Sequence, residues 1–273
     1  MNIIQCPNCK KSLTQNGKVM SCDNGHSFDI AKGGYTNLIL PHQKKKLNSG
    51  DNKLMIDARE AFLLRGYYDF LIDGIESEIN LILKADDSDI KTLLDLGCGS
   101  GYYTRKLLDD DPLIKKYGID ISKIGIASAT KKDKKSCYIV GSSFSIPILN
   151  DSIDIIANIF APCDLSEIIR ILKPGGLFIK VIPIDNHMAE VAKLVYDTFI
   201  SHKSNITDDI ASTNRFTLVN IEELIREVSV EGDDLHNLIK MTPYYYKFSE
   251  DQIAQLNNMS VTLSFQIIIS QLK

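Results

Sequence analysis

Four residues near the start of the chain have the types and spacing of a metal centre. Cys6 and Cys9 are two residues apart, twelve residues follow, and Cys22 and His26 are separated by three. Each pair offers two soft or borderline ligands across a turn. Two such knuckles complete a tetrahedron around Zn2+, and four protein ligands leave no open coordination position, so the expected site is structural. A second chemistry begins at Leu93-Leu94-Asp95-Leu96-Gly97-Cys98-Gly99-Ser100-Gly101-Tyr102-Tyr103-Thr104. There an apolar segment runs into a turn with three glycines, which lets bare backbone approach a ligand between a strand and a helix. Nineteen residues after Gly101 stands Asp120, near the separation at which a carboxylate takes the two hydroxyls of a ribose.

The form of the turn discriminates among nucleotides. A dinucleotide presents a pyrophosphate to the helix N-terminus. An acid ahead of the glycines, in the run Asp-Leu-Gly-Cys-Gly-Ser-Gly, is instead similar to the first motif of class I methyltransferases and points to S-adenosylmethionine, which carries no phosphate. In this reading Asp95, Gly97, Gly99, Gly101, Tyr102 and Tyr103 belong to the cofactor turn, Asp120 holds the ribose and Tyr68 caps the methionine end. Many such enzymes carry an acid for the adenine amino group where this chain has Gly141-Ser142-Ser143, so backbone or the Ser142 hydroxyl must replace it. Asn158 and His187, which follow later strands, complete the candidate cofactor set.

Composition narrows the class. With 44 % apolar residues and no apolar run near the roughly 20 needed to span a bilayer, the 273-residue chain has room for one large domain and a small one, with no membrane partner. Residues 1–6 lack the basic head and apolar segment of a signal peptide, and the six cysteines read as reduced thiols, so a cytoplasmic location is expected. The net charge of −4 hides an asymmetry: residues 1–66 hold ten Lys or Arg against five Asp or Glu (+5), leaving 21 against 30 (−9) for the rest. Zinc bound to three thiolates would lower the front end by one charge, which still permits phosphate contacts.

These residues require three units to position them: a zinc-binding RNA-recognition module over 1–40, a basic connector with linking helices over 41–88, and a methyltransferase domain over 89–273. The fold expected is α/β and Rossmann-like, with a mostly parallel seven-stranded sheet and a small N-terminal zinc-binding domain. About 40 residues hold too little core to fold unaided, so metal supplies much of that domain's folding free energy, and its loss should leave the cofactor domain largely intact. Helical spacing marks Met55, Ala58, Phe62 and Leu63, then Ile72, Ile75, Ile79 and Ile82. Strands are expected over 91–96, 117–120, 137–141, 151–158 and 177–181, with Ser122 capping a helix that runs to about Lys132. Helices are expected over 167–172, 188–198, 221–228 and 235–241, and an antiparallel strand over 261–269. Ligands of open α/β sheets bind beyond the carboxyl ends of the strands, so the loop from Asn158 to Asp164 should receive the methyl acceptor.

Taken with Gly50-Asp51-Asn52-Lys53, Ala58-Arg59, Phe62-Leu63, Gly66-Tyr67-Tyr68, Ala161-Pro162-Cys163, Lys173-Pro174-Gly175-Gly176 and Met241-Thr242-Pro243, the zinc pattern and the glycine turn resemble the bacterial large-subunit ribosomal RNA guanine-N1 methyltransferases, the RlmA family, over nearly the whole chain. The resemblance implies methylation of guanine N1 in a hairpin of 23S ribosomal RNA, with the zinc module helping to grip RNA. The basic run Lys44-Lys45-Lys46 would contribute phosphate contacts, and a homodimer is compatible with this reading. One branch of that family is associated with resistance to macrolides such as tylosin. Such chemistry asks for a splayed-out base, a stacking partner such as Phe160, Tyr67 or Tyr68, and an acceptor for the N1 proton, for which Asp164 and His187 are the candidates. Two rivals stay open. A class I methyltransferase acting on another RNA or on a small molecule would keep the cofactor motifs. A non-catalytic RNA-binding protein would not need Asp95, three glycines and Asp120 intact.

Overall fold

Three short strands open the chain, β1 (Thr14–Asn16), β2 (Val19–Ser21) and β3 (Ser27–Asp29), paired antiparallel with a turn at Gly17, whose φ of 61° suits glycine. In the computed structural model, which describes residues 3–41, 51–82, 90–196 and 204–273, the basic run 44–46 lies outside the described residues. β4 (Thr36–Asn37) follows, then α1 (Lys53–Leu63), α2 (Asp69–Ile82), β5 (Lys91–Leu96), α3 (Tyr102–Lys106), β6 (Ile114–Asp120), α4 (Lys123–Lys132), β7 (Cys137–Val140) and β8 (Ile153–Ile159). The remainder is α5 (Leu165–Ile171), β9 (Leu172–Pro183), α6 (Ala189–Ala192), α7 (Ile206–Ser212), β10 (Phe216–Glu231), α8 (Gly232–Lys240), α9 (Glu250–Ala254) and β11 (Asn258–Leu272). Among the described residues no helix is long and apolar enough to cross a membrane.

The main sheet has the order β10-β11-β9-β8-β5-β6-β7-β4, parallel from β4 to β9 and antiparallel at β9-β11-β10. The chain direction of the crossovers reverses between β5 and β8, and a crevice for a ligand opens beyond the carboxyl ends of strands at such a point. Side chains alternate along each strand. Leu93, Ile155, Ile179 and Ile267 face one core with Phe62, Leu71 and Ile75 of the linking helices. Leu94, Ile156, Phe178 and Ile268 face the other, shared with Ile4, Leu13, Met20 and Leu38 from the N-terminal segment.

The expected count of seven strands is met by β5 to β11, with β10 standing where a helix was expected over 221–228, and the N-terminal segment adds an eighth. β4 extends the sheet edge alongside β7, with Thr36 opposite Ile139, and the Leu38 N–H donates to the Val140 carbonyl at 2.9 Å. An Ile4–Ile148 bridge and a bond from the Gln5 N–H to the Pro147 carbonyl tie the same segment to the loop before β8. The zinc module thus shares a sheet and a core with the catalytic domain, unlike the separable unit read from the sequence.

Other boundaries differ as well. Residues 221–228 are strand, not helix: Ile221, Leu224, Ile225 and Val228 recur at a helical interval, but pairing with β11 from Phe216–Leu272 to Glu231–Asn258 overrides local periodicity. Leu224 and Val228 then pack on the core while Ile225 stays exposed. The helix expected over 188–198 is confined to Ala189–Ala192 among the described residues. The stop signal Lys173-Pro174-Gly175-Gly176 lies inside β9, where the register against β8 slips between Ile153 and Ile155.

Candidate functional site

The side chains of Cys6, Cys9, Cys22 and His26 converge, with every ligating atom within 4.8 Å of the others. Cys9 Sγ and Cys22 Sγ are 3.5 Å apart, and His26 Nδ1 lies 3.4 Å from Cys22 Sγ and 3.6 Å from Cys6 Sγ. Ligands at about 2.3 Å from a tetrahedral ion are separated by about 3.8 Å. The donor set and its dimensions fit zinc. The positive φ of Lys10 (65°) and Gly25 (78°) turn the two knuckles, and the Lys10 and Gly25 N–H groups bond back to the carbonyls of Cys6 and Cys22.

At the end of β5 the glycine turn has the three conformations its residues suggest. Gly97, Gly99 and Gly101 have φ of 86°, 52° and 74°, a region costly to residues with a Cβ. Gly101 is also hemmed in, since a Cβ there would meet Tyr138 Oη at 2.7 Å and Ala129 Cβ at 2.9 Å. Gly99 faces open space within 4 Å. Asp120, at the end of β6, accepts from the Gly99 N–H at 2.8 Å and the Ser122 N–H at 2.6 Å, so it braces the turn. Burial raises the Asp120 pKa, against the Ser122 and Gly99 donors and the Arg59 charge.

Asp95 is buried beneath the turn and accepts from Thr104 Oγ1 at 2.6 Å. Burial pushes its carboxyl up to about 7, against the Thr104 hydrogen bond and with help from the Asp120 charge. Tyr68, Tyr103, Phe160, Phe265 and His187 form an aromatic wall: Phe160 lies 6.3 Å from Tyr68, 6.5 Å from Tyr103 and 5.1 Å from Phe265, which stands 4.8 Å from His187. Phe160 is partly exposed and holds a φ of 56°, strained for a residue with a Cβ. The Tyr103 hydroxyl is buried with no hydrogen-bond partner among the described residues.

Several candidates are engaged elsewhere. Tyr102 donates to the Leu63 carbonyl at 2.9 Å and lies 3.1 Å from Asp69 Oδ1, so its hydroxyl ties α3 to the linking helices instead of facing the turn. Tyr67 stacks on Phe62 at 4.7 Å and bonds to Asp234. Ser142 Oγ accepts from the Phe144 N–H in its own turn after β7. Asn158 is wholly buried: its amide donates to the Leu96 carbonyl at 2.7 Å, and its oxygen accepts from Lys180 Nζ. Lys180 also donates to the Ala161 carbonyl at 2.5 Å, and burial lowers its pKa.

The two candidates for proton acceptance both have structural work. Asp164 is the N-cap of α5, accepting from the Ser166 N–H and hydroxyl at 2.8 and 2.6 Å, and these bonds hold its carboxyl below the usual range. His187 Nδ1 accepts from the Ser264 N–H at 3.2 Å, which in the neutral ring leaves the proton on Nε2 and makes that atom a donor. Sequence reasoning missed Lys180, although a lone lysine in the apolar run Leu177-Phe178-Ile179-Lys180-Val181-Ile182 is itself a signal. It also passed over Arg59 and Glu60 as functional groups. Glu60 is buried, accepting from Ser100 Oγ, from Arg105 Nη2 at 2.6 Å and from Lys132 Nζ at 3.0 Å.

Comparison with known proteins agrees with this geometry. Residues 4–48 match the family described as RlmA, N-terminal, a zinc ribbon, and residues 94–180 match the family described as methyltransferase domain. A 23S rRNA (guanine(748)-N(1))-methyltransferase of Streptomyces fradiae is 27 % identical over 92 % of this chain and 89 % of its own. The Bacillus subtilis (strain 168) protein YxjB, assigned as a 23S rRNA (guanine-N(1)-)-methyltransferase, is 28 % identical over 98 % of this chain and 96 % of its own. Among solved structures, a chain from the complex of the Haloferax volcanii Trm112 methyltransferase activator with a methyltransferase superposes with a TM-score of 0.50 at 18 % identity. That match covers 82 % of this chain and 99 % of that one, a likeness of fold. The open space at Gly99, the Asp120 carboxylate and the unpartnered Tyr103 hydroxyl fit S-adenosylmethionine, the cofactor that a methyltransferase domain implies.

Proposed function

The chain belongs to the RlmA family, joining that family's N-terminal zinc ribbon to a methyltransferase domain, and we propose that it methylates N1 of a guanine in a hairpin of 23S ribosomal RNA. The enzyme class and the cofactor follow from the domain; the names of the two relatives support the substrate. The observation that carries the reading is the continuity of the zinc module with the catalytic sheet through β4 and β7. A rigid extension of the sheet edge gives a large polyanion a contact surface beyond the cofactor crevice, which a metabolite would not need. In the same reading the protein works in the cytoplasm, where ribosomal RNA is found.

Bound S-adenosylmethionine supplies an electrophilic methyl group on sulfonium. The protein's share is positioning and exclusion of water. Asp120 takes the ribose hydroxyls, the backbone of 97–101 packs against the cofactor, and Phe160 stacks on the guanine extruded from the hairpin. Lys180, by holding Asn158 and the Ala161 carbonyl, keeps the acceptor loop and Phe160 in one conformation. His187 Nδ1 is engaged by the Ser264 N–H and Asp164 is held as the N-cap of α5, so the N1 proton leaves to solvent.

The test is methyl transfer to unmodified 23S rRNA transcripts and to isolated hairpins from them, read by nuclease digestion and mass spectrometry. A methyl at guanine N1 blocks the Watson–Crick edge and stops reverse transcriptase. The reading predicts one such stop, in a hairpin; transfer to another atom, or to small molecules but not RNA, would sink it.

A further inference from the structure

Pro243-Tyr244-Tyr245-Tyr246-Lys247 forms a short 3-10 helix between α8 and α9. Most aromatic residues of this stretch have a structural use, since Tyr244, Tyr245 and Phe248 pack against the core. Tyr246 does not share it. Its ring is 66 % exposed, while its hydroxyl is tethered, accepting from Asn52 Nδ2 at 3.3 Å and donating to Met55 Sδ at 3.6 Å. Asn52 is itself the N-cap of α1, its side chain accepting from the Met55 N–H at 3.0 Å. Bound at its tip and bare on its face, the ring is pre-set for a flat ligand, so little conformational entropy is lost when one stacks on it.

The tether places this ring at the mouth of the crevice. Ser122, whose N–H bonds to Asp120, directs its hydroxyl to the Asp51 carbonyl at 3.5 Å, one residue before Asn52. Arg59, bonded to Asp51, donates to the Met241 carbonyl at 2.9 Å and so joins α1 to the chain that leads into Pro243. From Met55, α1 runs two turns, about 10 Å, to Phe62, which meets Tyr68 of the aromatic wall at 5.6 Å. The neighbouring charge has the sign that a nucleic acid needs. Lys247 lies 5.9 Å from the centre of the Tyr196 ring, and among the described residues no carboxylate pairs with it. Lys53 and Lys240, by contrast, are paired with Asp57 and Glu250. Tyr196, edge-on to Tyr244 at 6.2 Å, arrives on the chain that leaves β9 at its carboxyl end, the side on which the crevice opens.

We propose that Tyr246 and Lys247 form a second RNA subsite, in which the Tyr246 ring stacks on an unpaired base flanking the methylated guanine and Lys247 meets the phosphate beside it. Extruding a base from a hairpin breaks its stacking on its neighbours, and an aromatic face at the crevice mouth replaces one of those contacts. Every base has a π-face, so the subsite contributes affinity and not choice of base. The inference rests on the ribosomal RNA reading above.

The chain contains no tryptophan, so Tyr246→Trp introduces a single indole at the subsite. Titrating that variant with an unmodified 23S rRNA hairpin that wild type methylates should quench the indole emission as the ring stacks. Filter binding with the same hairpin should show Tyr246→Ala weakened about 5- to 100-fold, the range for loss of one base–aromatic stack, with Tyr246→Phe and Tyr246→Trp within about twofold of wild type. Lys247→Ala should lower the salt slope of binding by about one, a change that Tyr246→Ala does not make. All four variants should keep wild-type affinity for S-adenosylhomocysteine, which serves as the control for folding. Equal losses in Tyr246→Ala and Tyr246→Phe would overturn the proposal, showing that the hydroxyl only anchors α1. Unquenched emission at saturating hairpin, or unchanged RNA affinity in Tyr246→Ala, would overturn it too. Methylation of no RNA by wild type would overturn the RNA reading, and this proposal with it.

Discussion

A Cβ on Gly97 would stand 2.2 Å from the Cβ of Ala161, so the first glycine of the cofactor turn and the loop that receives the methyl acceptor touch without room for a methyl group. The same two segments are bonded through Asn158 and the Leu96 carbonyl. Cofactor turn and acceptor loop therefore form one rigid floor. Gly97→Ala adds both the clash and a left-handed backbone at φ 86°, whereas Gly99→Ala adds a strained φ of 52° with open space around the new carbon. Urea unfolding should show Gly99→Ala losing about 1–2 kcal/mol and Gly97→Ala distinctly more, with S-adenosylhomocysteine binding impaired in both.

Lys180 is the strut beneath that floor. Lys180→Met keeps most of the side chain's volume but leaves the Asn158 oxygen and the Ala161 carbonyl without their donor, at about 1–3 kcal/mol for each buried acceptor. Since these groups hold the acceptor loop and not the ribose side, turnover on RNA should fall much further than affinity for S-adenosylhomocysteine. A proportional loss of both would assign Lys180 to cofactor binding.

Removal of zinc should reach the catalytic sheet. Cys6 and Cys22 share a core with Leu94, Ile139 and Ile148, and β4 pairs with β7. Chelation, or Cys22→Ala, should therefore speed amide exchange at Leu38, whose N–H is bonded to Val140, and weaken S-adenosylhomocysteine binding beyond the ribbon itself. Exchange confined to residues 3–30, with unchanged cofactor affinity, would show the ribbon to be energetically separate.

Asp95 gives stability a pH dependence. Its pKa in the folded chain is raised to about 7 from an ordinary 3.8, so folding favours the protonated carboxyl. The contribution is fully present below about pH 4 and is lost as pH rises through about 7, with a size on the order of a few kcal/mol. Urea unfolding at pH 5 and pH 8 should show a larger loss for wild type than for Asp95→Asn, which has no such proton; equal losses would place the pH sensitivity elsewhere.

The zinc ligands, the glycine turn and the carboxylate at Asp120 were legible in the sequence because each is a local pattern. Metal knuckles and a strand-turn-helix are built by neighbours in the chain, and their chemistry restricts residue type at fixed spacing. The parallel core was legible for the same reason, as apolar runs such as Leu93–Leu96 and Ile153–Ile159 leave little choice of face. Tertiary structure decided the rest. Residues 221–228 are strand because β11 offers a long pairing surface, which no local period reports. The zinc module is a sheet edge because Thr36 and Asn37 meet Ile139 and Val140, about a hundred residues away in sequence. His187 and Asp164 look like bases as residue types, yet the Ser264 and Ser166 donors that engage them are a matter of placement. Glu60 and Lys180 carry no motif: a charged side chain acquires its role from the buried groups brought to it, and only folding assembles those.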